Sequence, residues 1–520
     1  MISLPGYLIT EKLSEGTDSF IYRAYRESNQ ERVMIKISKN EHPSPEEIAR
    51  FKHESDLLQS LGGSGTVAVK ALETDGNQLF LITEEFGTGS LQQILLQRNL
   101  TVEEFLLMAL RITEALEKLH QHTIIHKDIN PTNILWDEAT SQAKIIDFGA
   151  ATTLSREVAE ISNPHLMQGG TLYYISPEQT GRMNRGMDYR TDYYSLGVTF
   201  YQMVTGVLPF TSDDLGELIH AHIAKMPTPP QEVNTAIPPI ISDIIMKLLA
   251  KTVEERYQST YGLKADLRQC LEQLQQTDTI NPFPLGLKDV SSRFQLSEKL
   301  YGREKELKLL FDACYRASQG PAELMLVTGY PGIGKSALVH ELYKPLLEKK
   351  GYFIAGKFDP FKRNIPYTAL AQAIDAMVKQ MLLENELQIS LWRDRIQKAV
   401  ESNGQVAIEI VPLLTEIIGE QPPVPALGSS ETQHRFHLVF QRLIQALATP
   451  EHPLVIFLDD CQWADIPSIQ LLEMLLSHPE SHHFLILLTY RENEVDANHI
   501  LTLALNKLKK IGLMIEPMVL

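Results

Sequence analysis

Residues 327 to 339, VTGYPGIGKSALV, constrain this chain more than any other stretch. The apolar run ELMLVT leads into them, glycines follow, and SALV opens a helical spacing. Gly329, Gly332 and Gly334 give the loop backbone a freedom that side chains would deny it. Lys335 and Ser336 complete G-x-x-x-x-G-K-S. In that pattern backbone N–H groups wrap phosphates, the lysine reaches the outer ones and the serine ligates magnesium. A plain glycine-rich turn is the ordinary alternative, but here the strand before and the helix behind are both in place. A strand feeding such a loop belongs to a parallel sheet covered on both faces, and the runs PLVIFLDD and HFLILLTY supply neighbours. The site also needs an acidic strand end. Asp459 is expected to carry magnesium through water, and Asp460 to orient an attacking water. Arg491, closing the run LILLTYR, would sense the outer phosphate or else be a simple exposed arginine. Gly302 and Arg303, in YGREKELKLL, would touch a base edge or merely open a helix.

The rest of the chain has a different texture. The first 90 residues hold short alternating segments (YLITEKL, FIYRAYR, RVMIKIS, LFLITEE), which predict an antiparallel sheet interrupted by one helix at about 46–61. From there to about 275 the apolar spacing is mostly helical. The stretch QQTDTINPFPLGLKDVSS, 275–292, loses periodicity and gathers Pro, Gly, Asn and Asp, so it reads as a linker. A length of 520 residues calls for two or three cores, and 43% apolar with 22% charged residues is the composition of a soluble globular protein. A net charge of −17 argues against general binding to nucleic acid or anionic membranes. Three distant cysteines, Cys270, Cys314 and Cys461, form no metal spacing and predict reduced, buried thiols in a cytoplasmic chain. No apolar run approaches the ~18 residues that span a bilayer.

A second set of residues lies in the first 275. Phosphoryl transfer from ATP needs a cover for the phosphates, a cation on them, carboxylates for magnesium and a group to orient the acceptor hydroxyl. LSEGTDSFIYRA, 13–24, offers a turn between strands. VMIKIS puts Lys36 on a strand, and FKHESDLL puts Glu54 on the helix behind it. HKDINPTN supplies Asp128 and Asn133, and KIIDFGA ends a strand with Asp147. Taken singly, each has an ordinary reading: an edge lysine, a surface glutamate, loop polarity, a turn. Their order and spacing together, followed by SPE at 176–178, remove that reading.

With this set the first 275 residues resemble the protein-kinase fold. The resemblance implies that Lys36 grips the α- and β-phosphates and pairs with Glu54, that Asp128 accepts the acceptor's proton, and that Asn133 and Asp147 hold magnesium. It further implies that the backbone of Glu84 and Phe86 binds adenine in front of Thr83. Glu178 would pair with Arg256, and Asp192 would brace the catalytic loop. GT before YYISPE is similar to the serine/threonine branch, with Thr171 near the acceptor site. Three departures stand out. The family's glycine loop appears as Ser14, Gly16 and Ser19. The usual arginine before the catalytic Asp is Lys127, which lacks the planar fork that fixes a phosphorylated loop. Activation is therefore expected to depend only weakly on phosphate at Thr152, Thr153, Ser155 or Ser162. Finally, the lysine normally two residues after the Asp is Asn130.

Residues 298–520 resemble the signalling ATPases of the AAA-like STAND class, of the GRE…GxxGxGKS…LDDxQWAD kind. The fold class expected is thus an α+β bilobal protein-kinase fold over 1–275, a linker over 276–297 and an α/β P-loop NTPase domain over 298–520, incomplete at its C-terminus. The combination is similar to bacterial multidomain kinase/ATPase signalling proteins. It implies a serine/threonine protein kinase with protein substrates, magnesium as cofactor, ATP at two sites, no nucleic acid, no membrane span, and oligomerisation through the ATPase domain. A nucleotide-dependent switch built on a catalytically weak pseudokinase is the alternative that Ser14, Ser19 and Asn130 favour.

Overall fold

The computed structural model describes every residue except 1–3, 17–18, 41, 77, 88, 154–169, 181–186, 213, 291–301, 343–345, 347–350, 363–364, 383, 385, 426–427 and 514. Of the expected loop residues, Ser155 and Ser162 lie outside the described set, as does the side chain of Thr171. The chain divides into two compact units, Met1–Ser212 with Ala221–Ser297, and Glu298–Leu520 with Asp213–His220.

The first unit opens with the antiparallel sheet that the alternating segments predict. Its strands are β1 (Tyr7–Glu15), β2 (Ser19–Arg26), β3 (Arg32–Ser38), β4 (Val69–Asp75) and β5 (Gln78–Glu84), in the order β1-β2-β3-β5-β4. Alternate residues Val33, Ile35 and Ile37 of β3 are fully buried, which leaves Lys36 on the other face. The helix α1 (Pro45–Leu61) follows β3. Ser44 caps it in a reciprocal box with Glu47, Pro45 stands in its first turn, and Gly62 ends it at φ +55. Below the sheet lies a helical lobe. The helix Val102–Gln121 and the helix Arg190–Thr205 meet in its core, with Phe105 and Phe200 packed edge to face at 5.5 Å.

The last helix of this lobe runs Thr260–Thr277. Residues 279–290, expected to be linker, instead return along the lobe. Ile280, Phe283 and Leu285 pack against its core, and Gly286 N–H donates to Asp266 at 2.8 Å. Asp289 accepts from Gln258 N–H and from the Ser259 hydroxyl, both at 2.8 Å, at the start of the same helix. The segment without periodicity is thus an irregular strap docked by three partly buried apolar side chains.

The second unit is a parallel sheet in the order Tyr352–Lys357, Leu454–Asp459, Phe484–Tyr490, Glu323–Thr328, Ile515–Val519. The three continuous apolar runs are its central strands, buried along nearly their whole length. Because all five run the same way, the residues that end them, Thr328, Lys357, Asp459, Tyr490 and Val519, share one end of the sheet. In such sheets that carboxyl end is where ligands bind.

Candidate functional site

In the first unit, Lys36 Nζ lies 3.0 and 2.8 Å from the two Glu54 carboxylate oxygens and 2.8 Å from Asp147 Oδ1. Burial alone would lower the ammonium's pKa, but Asp147 and Glu54 outweigh it and hold the pKa above its ordinary value. Lys36 in turn holds Asp147 below the usual carboxylate range. Glu54 also accepts from Phe148 N–H at 3.3 Å, so one helix carboxylate fixes both the lysine and the turn after Asp147. The Asp147 side chain is 47% exposed against 5% for Glu54, which makes Asp147 the one of the pair open to a ligand.

Asp128 lies across from this cluster with both oxygens held by amides. Asn130 Nδ2 donates to Oδ1 and Asn133 Nδ2 to Oδ2, each at 2.8 Å. Burial pushes the Asp128 carboxyl up to about 7, and the charge of Asp147 adds to it. The loop that presents it is anchored from behind. Asp192, fully buried, accepts from His126 N–H at 3.0 Å, Lys127 N–H at 2.8 Å and His120 Nε2 at 2.9 Å.

Lys127 and Asp147 both sit at φ +66, a left-handed conformation that costs a non-glycine residue about 1–3 kcal/mol. In each case hydrogen bonds on both sides impose it. The Lys127 N–H is held by Asp192 and its carbonyl by Gln179 Nε2 at 2.7 Å. Ile146, before Asp147, donates its N–H to Asn133 O at 2.9 Å, and its carbonyl lies 3.1 Å from His126 Nε2. Burial lowers the His126 pKa, so the ring stays neutral and its Nδ1 accepts from Asp128 N–H at 3.3 Å.

Glu178 and Arg256 form the expected buried pair, at 2.7 and 2.9 Å, with the Thr191 hydroxyl on the same carboxylate. At the end of β5, Glu84 N–H is committed to Ala68 O at 3.0 Å, and its side chain takes Lys144, which also lies 4.6 Å over the Phe86 ring. In the β1–β2 turn Gly16 N–H donates to Ser19 O at 2.9 Å. Ser14 pairs with Ile21, so both serines are seated in strands beside the turn.

In the second unit the loop after Thr328 turns on Gly329, Gly332 and Gly334 at φ +151, +77 and +95. Lys335 is buried and curls back, donating to the carbonyls of Gly329 and Tyr330 at 3.0 Å each. The Ser336 hydroxyl lies 3.1 Å from Asp459 Oδ2, so the two oxygens expected on one magnesium ion are adjacent. The Thr489 hydroxyl donates to Asp459 Oδ1 and accepts from Asp460 N–H at 3.3 Å. Asp460 takes Gln462 Nε2 at 2.9 Å and Lys357 at 3.1 Å, with Arg491 at 3.7 Å. Arg491 also pairs with Glu494 and lies 5.0 Å over the Trp463 ring. Arg303 pairs with Glu306 on its own helix at 3.1 Å. Thr489, Gln462 and Lys357 were not singled out from sequence. A threonine inside the buried run LILLTY and the glutamine of LDDxQWAD were the signals available.

Both clusters fit magnesium-bound nucleotide by their donor chemistry: a lysine, then oxygen ligands suited to a hard cation. Residues 7–268 match the protein kinase domain family and residues 299–488 the AAA ATPase domain family. The chain is 32% identical over 464 residues to hybrid signal transduction histidine kinase G of Dictyostelium discoideum, across 73% of this chain and 13% of that protein. It is 34% identical over 263 residues to a probable serine/threonine-protein kinase of Clostridium perfringens, 50% of this chain and 38% of that one. Against the serine/threonine-protein kinase PknL of Mycobacterium tuberculosis the identity is 28% over 270 residues, 52% of this chain and 66% of that one. The chain thus spans a small part of the first relative and well under half of the second.

Proposed function

We propose, from the premise that this chain belongs to the protein kinase family and carries an AAA ATPase domain behind it, that it transfers the γ-phosphate of ATP to serine or threonine hydroxyls of proteins. The observation that carries this reading is the Lys36–Glu54–Asp147 cluster facing an Asp128 held by two amides. Lys36 grips the α- and β-phosphates, and Glu54 keeps it from swinging away. Asp128 orients the acceptor hydroxyl and takes its proton as the oxygen bonds to the γ-phosphorus and the bond from that phosphorus to the β–γ bridging oxygen breaks, with ADP leaving. Asn133 and Asp147 hold magnesium, which neutralises charge on the phosphates when bound. The backbone of Glu84 and Phe86 receives adenine, and Ser14, Gly16 and Ser19 cover the phosphates.

The second unit is a nucleotide-dependent regulator in the same reading. Gly329, Gly332, Gly334 and Lys335 wrap phosphates, Ser336 and Asp459 hold a second magnesium, and Asp460 with Arg491 attends the outer phosphate. Its pairing with a kinase domain supports a role in signal transduction, in the cytoplasm, with assembly through the ATPase domain. No described helix is long and apolar enough to cross a membrane. In this proposal the kinase domain occupies 1–275 with the strap 279–290 packed on it, and the ATPase domain begins at 298.

The test is phosphotransfer from γ-labelled ATP to casein, with phosphoamino-acid analysis. Asp128→Asn is expected to remove at least 99% of turnover while sparing ATP affinity, on the ~10²–10⁴-fold scale of general-base catalysis. Asp147→Asn is expected to weaken magnesium-dependent nucleotide binding itself. Parental rates in both variants would exclude the assignment.

A further inference from the structure

Two residues past Asp128, the chain carries an amide, Asn130, and the amide is built in. Asn130 is 3% exposed. Its Oδ1 accepts from Thr132 N–H at 2.9 Å and also from the Thr132 hydroxyl. With that oxygen doubly engaged, only the NH2 end can face Asp128. It does so, donating to Asp128 Oδ1 at 2.8 Å and to the Asp128 carbonyl at 3.3 Å. Asn133 meanwhile holds Oδ2 and the same carbonyl, at 2.8 and 2.9 Å. The carboxylate therefore cannot rotate about its χ2 without breaking a bond on one side or the other.

We propose that Asn130, locked by Thr132, is a positioning residue that fixes the Asp128 carboxylate in the orientation needed to receive the acceptor hydroxyl. The proposal rests on the phosphotransfer reading above. The physical basis is the steep dependence of such a step on alignment: a misplacement of ~1 Å can cost ~10²-fold in rate. A lysine at this place would bring a mobile point charge on a flexible stem. A short amide held from both ends brings a fixed direction instead. The pair Asn130–Thr132 acts as one unit, because the threonine decides which end of the amide faces the carboxylate. Loss of either member should therefore remove the same interaction, not a separate one.

The experiment measures kcat and KM for labelled ATP and casein in the full chain. Asn130→Ala should lower kcat about tenfold or more while KM for ATP stays within about threefold, the split expected when binding survives and alignment does not. Thr132→Val should lower kcat by a smaller factor, and Thr132→Ser, which keeps the hydroxyl, should restore it. The Asn130→Ala/Thr132→Val double variant should be no slower than Asn130→Ala alone. A parental kcat in Asn130→Ala, losses that multiply in the double variant, or equal losses in Thr132→Val and Thr132→Ser would overturn the proposal. Should Asn130→Ala fail to fold, as read by its melting transition, the Val and Ser variants of Thr132 still decide it. Parental turnover in Asp128→Asn would defeat the phosphotransfer reading and this proposal together. Loss in Asp128→Asn beside a parental Asn130→Ala would defeat the clamp alone.

Discussion

Lys251 is the most unusual cation in the first unit. Its ammonium donates to Tyr194 OH, to Ala221 O and to His222 O at 3.2, 3.2 and 2.9 Å, and lies 4.5 Å over the Phe210 ring. No carboxylate faces it among these partners. The groups around it are a phenol, an imidazole that burial keeps neutral, and the Arg256 guanidinium. Burial, with a smaller push from Arg256, lowers its pKa to about 7. Below pH 7 the amine is charged in the folded and unfolded chain alike, so the desolvation cost is present in full. Between pH 7 and the ordinary lysine range the unfolded chain holds a proton that the folded chain has released, and stability rises with pH. Urea denaturation of the full chain should show the first unit's midpoint climbing from pH 7 to pH 9. In Lys251→Met that climb should largely vanish. An unchanged slope in the variant would assign the effect elsewhere.

At the level of elements, Gly356 shows how the second site is shaped. A Cβ there would meet Ala369 O at 1.9 Å, so the helix Thr368–Met381 seats directly on the end of the strand Tyr352–Lys357. The next residue, Lys357, stands in register with Asp459 of the neighbouring strand and pairs with Asp460 at 3.1 Å. Gly356→Ala must push helix from strand, and it should destabilise the second unit by about 1–3 kcal/mol, measurable as a lowered denaturation midpoint. It should also weaken nucleotide binding there. This strand explains what the sequence hid. The runs ending in Thr328, Asp459 and Tyr490 are uninterrupted and legible, whereas GYFIAGKF is broken by Gly351, Gly356 and a lysine, and its strand character comes from pairing with the strand Leu454–Asp459, far along the chain. In the first unit the helix predicted at 46–61 lies at Pro45–Leu61 because capping is a local signal. The Lys36–Glu54 pair was legible from motif order alone. Thr132, Gln179 and Thr489 were not, since their partners lie on segments that only the fold brings together, or, for Thr132, on a turn whose geometry no spacing announces.

For the whole molecule, each unit holds its own lysine, its own carboxylates and its own support for both. Among the described residues, Lys36 with Asp147 and Lys335 with Asp459 share no hydrogen-bond partner. Two independent ATP sites are therefore expected. Calorimetry of the full chain should return two bound nucleotides, and Lys335→Ala should return one with phosphotransfer nearly intact. Lys36→Ala should also return one, with phosphotransfer abolished. A single site in the parent chain, or loss of phosphotransfer in the Lys335 variant, would refute the separation.

The strap over residues 279–290 has a practical side. Asp289 occupies the space where a Cβ on Gly262 would stand, 2.5 Å away, and supplies acceptors to the start of the helix Thr260–Thr277. A kinase fragment cut at the end of that helix would lose Ile280, Phe283 and Leu285 from its surface and leave a naked groove with two orphaned donors at its head. Anyone dividing the gene to produce the kinase alone should place the stop codon after residue 290. A shorter product would be expected to stick to its neighbours through that groove, and its faults would then be charged to the enzyme when they belong to the scissors.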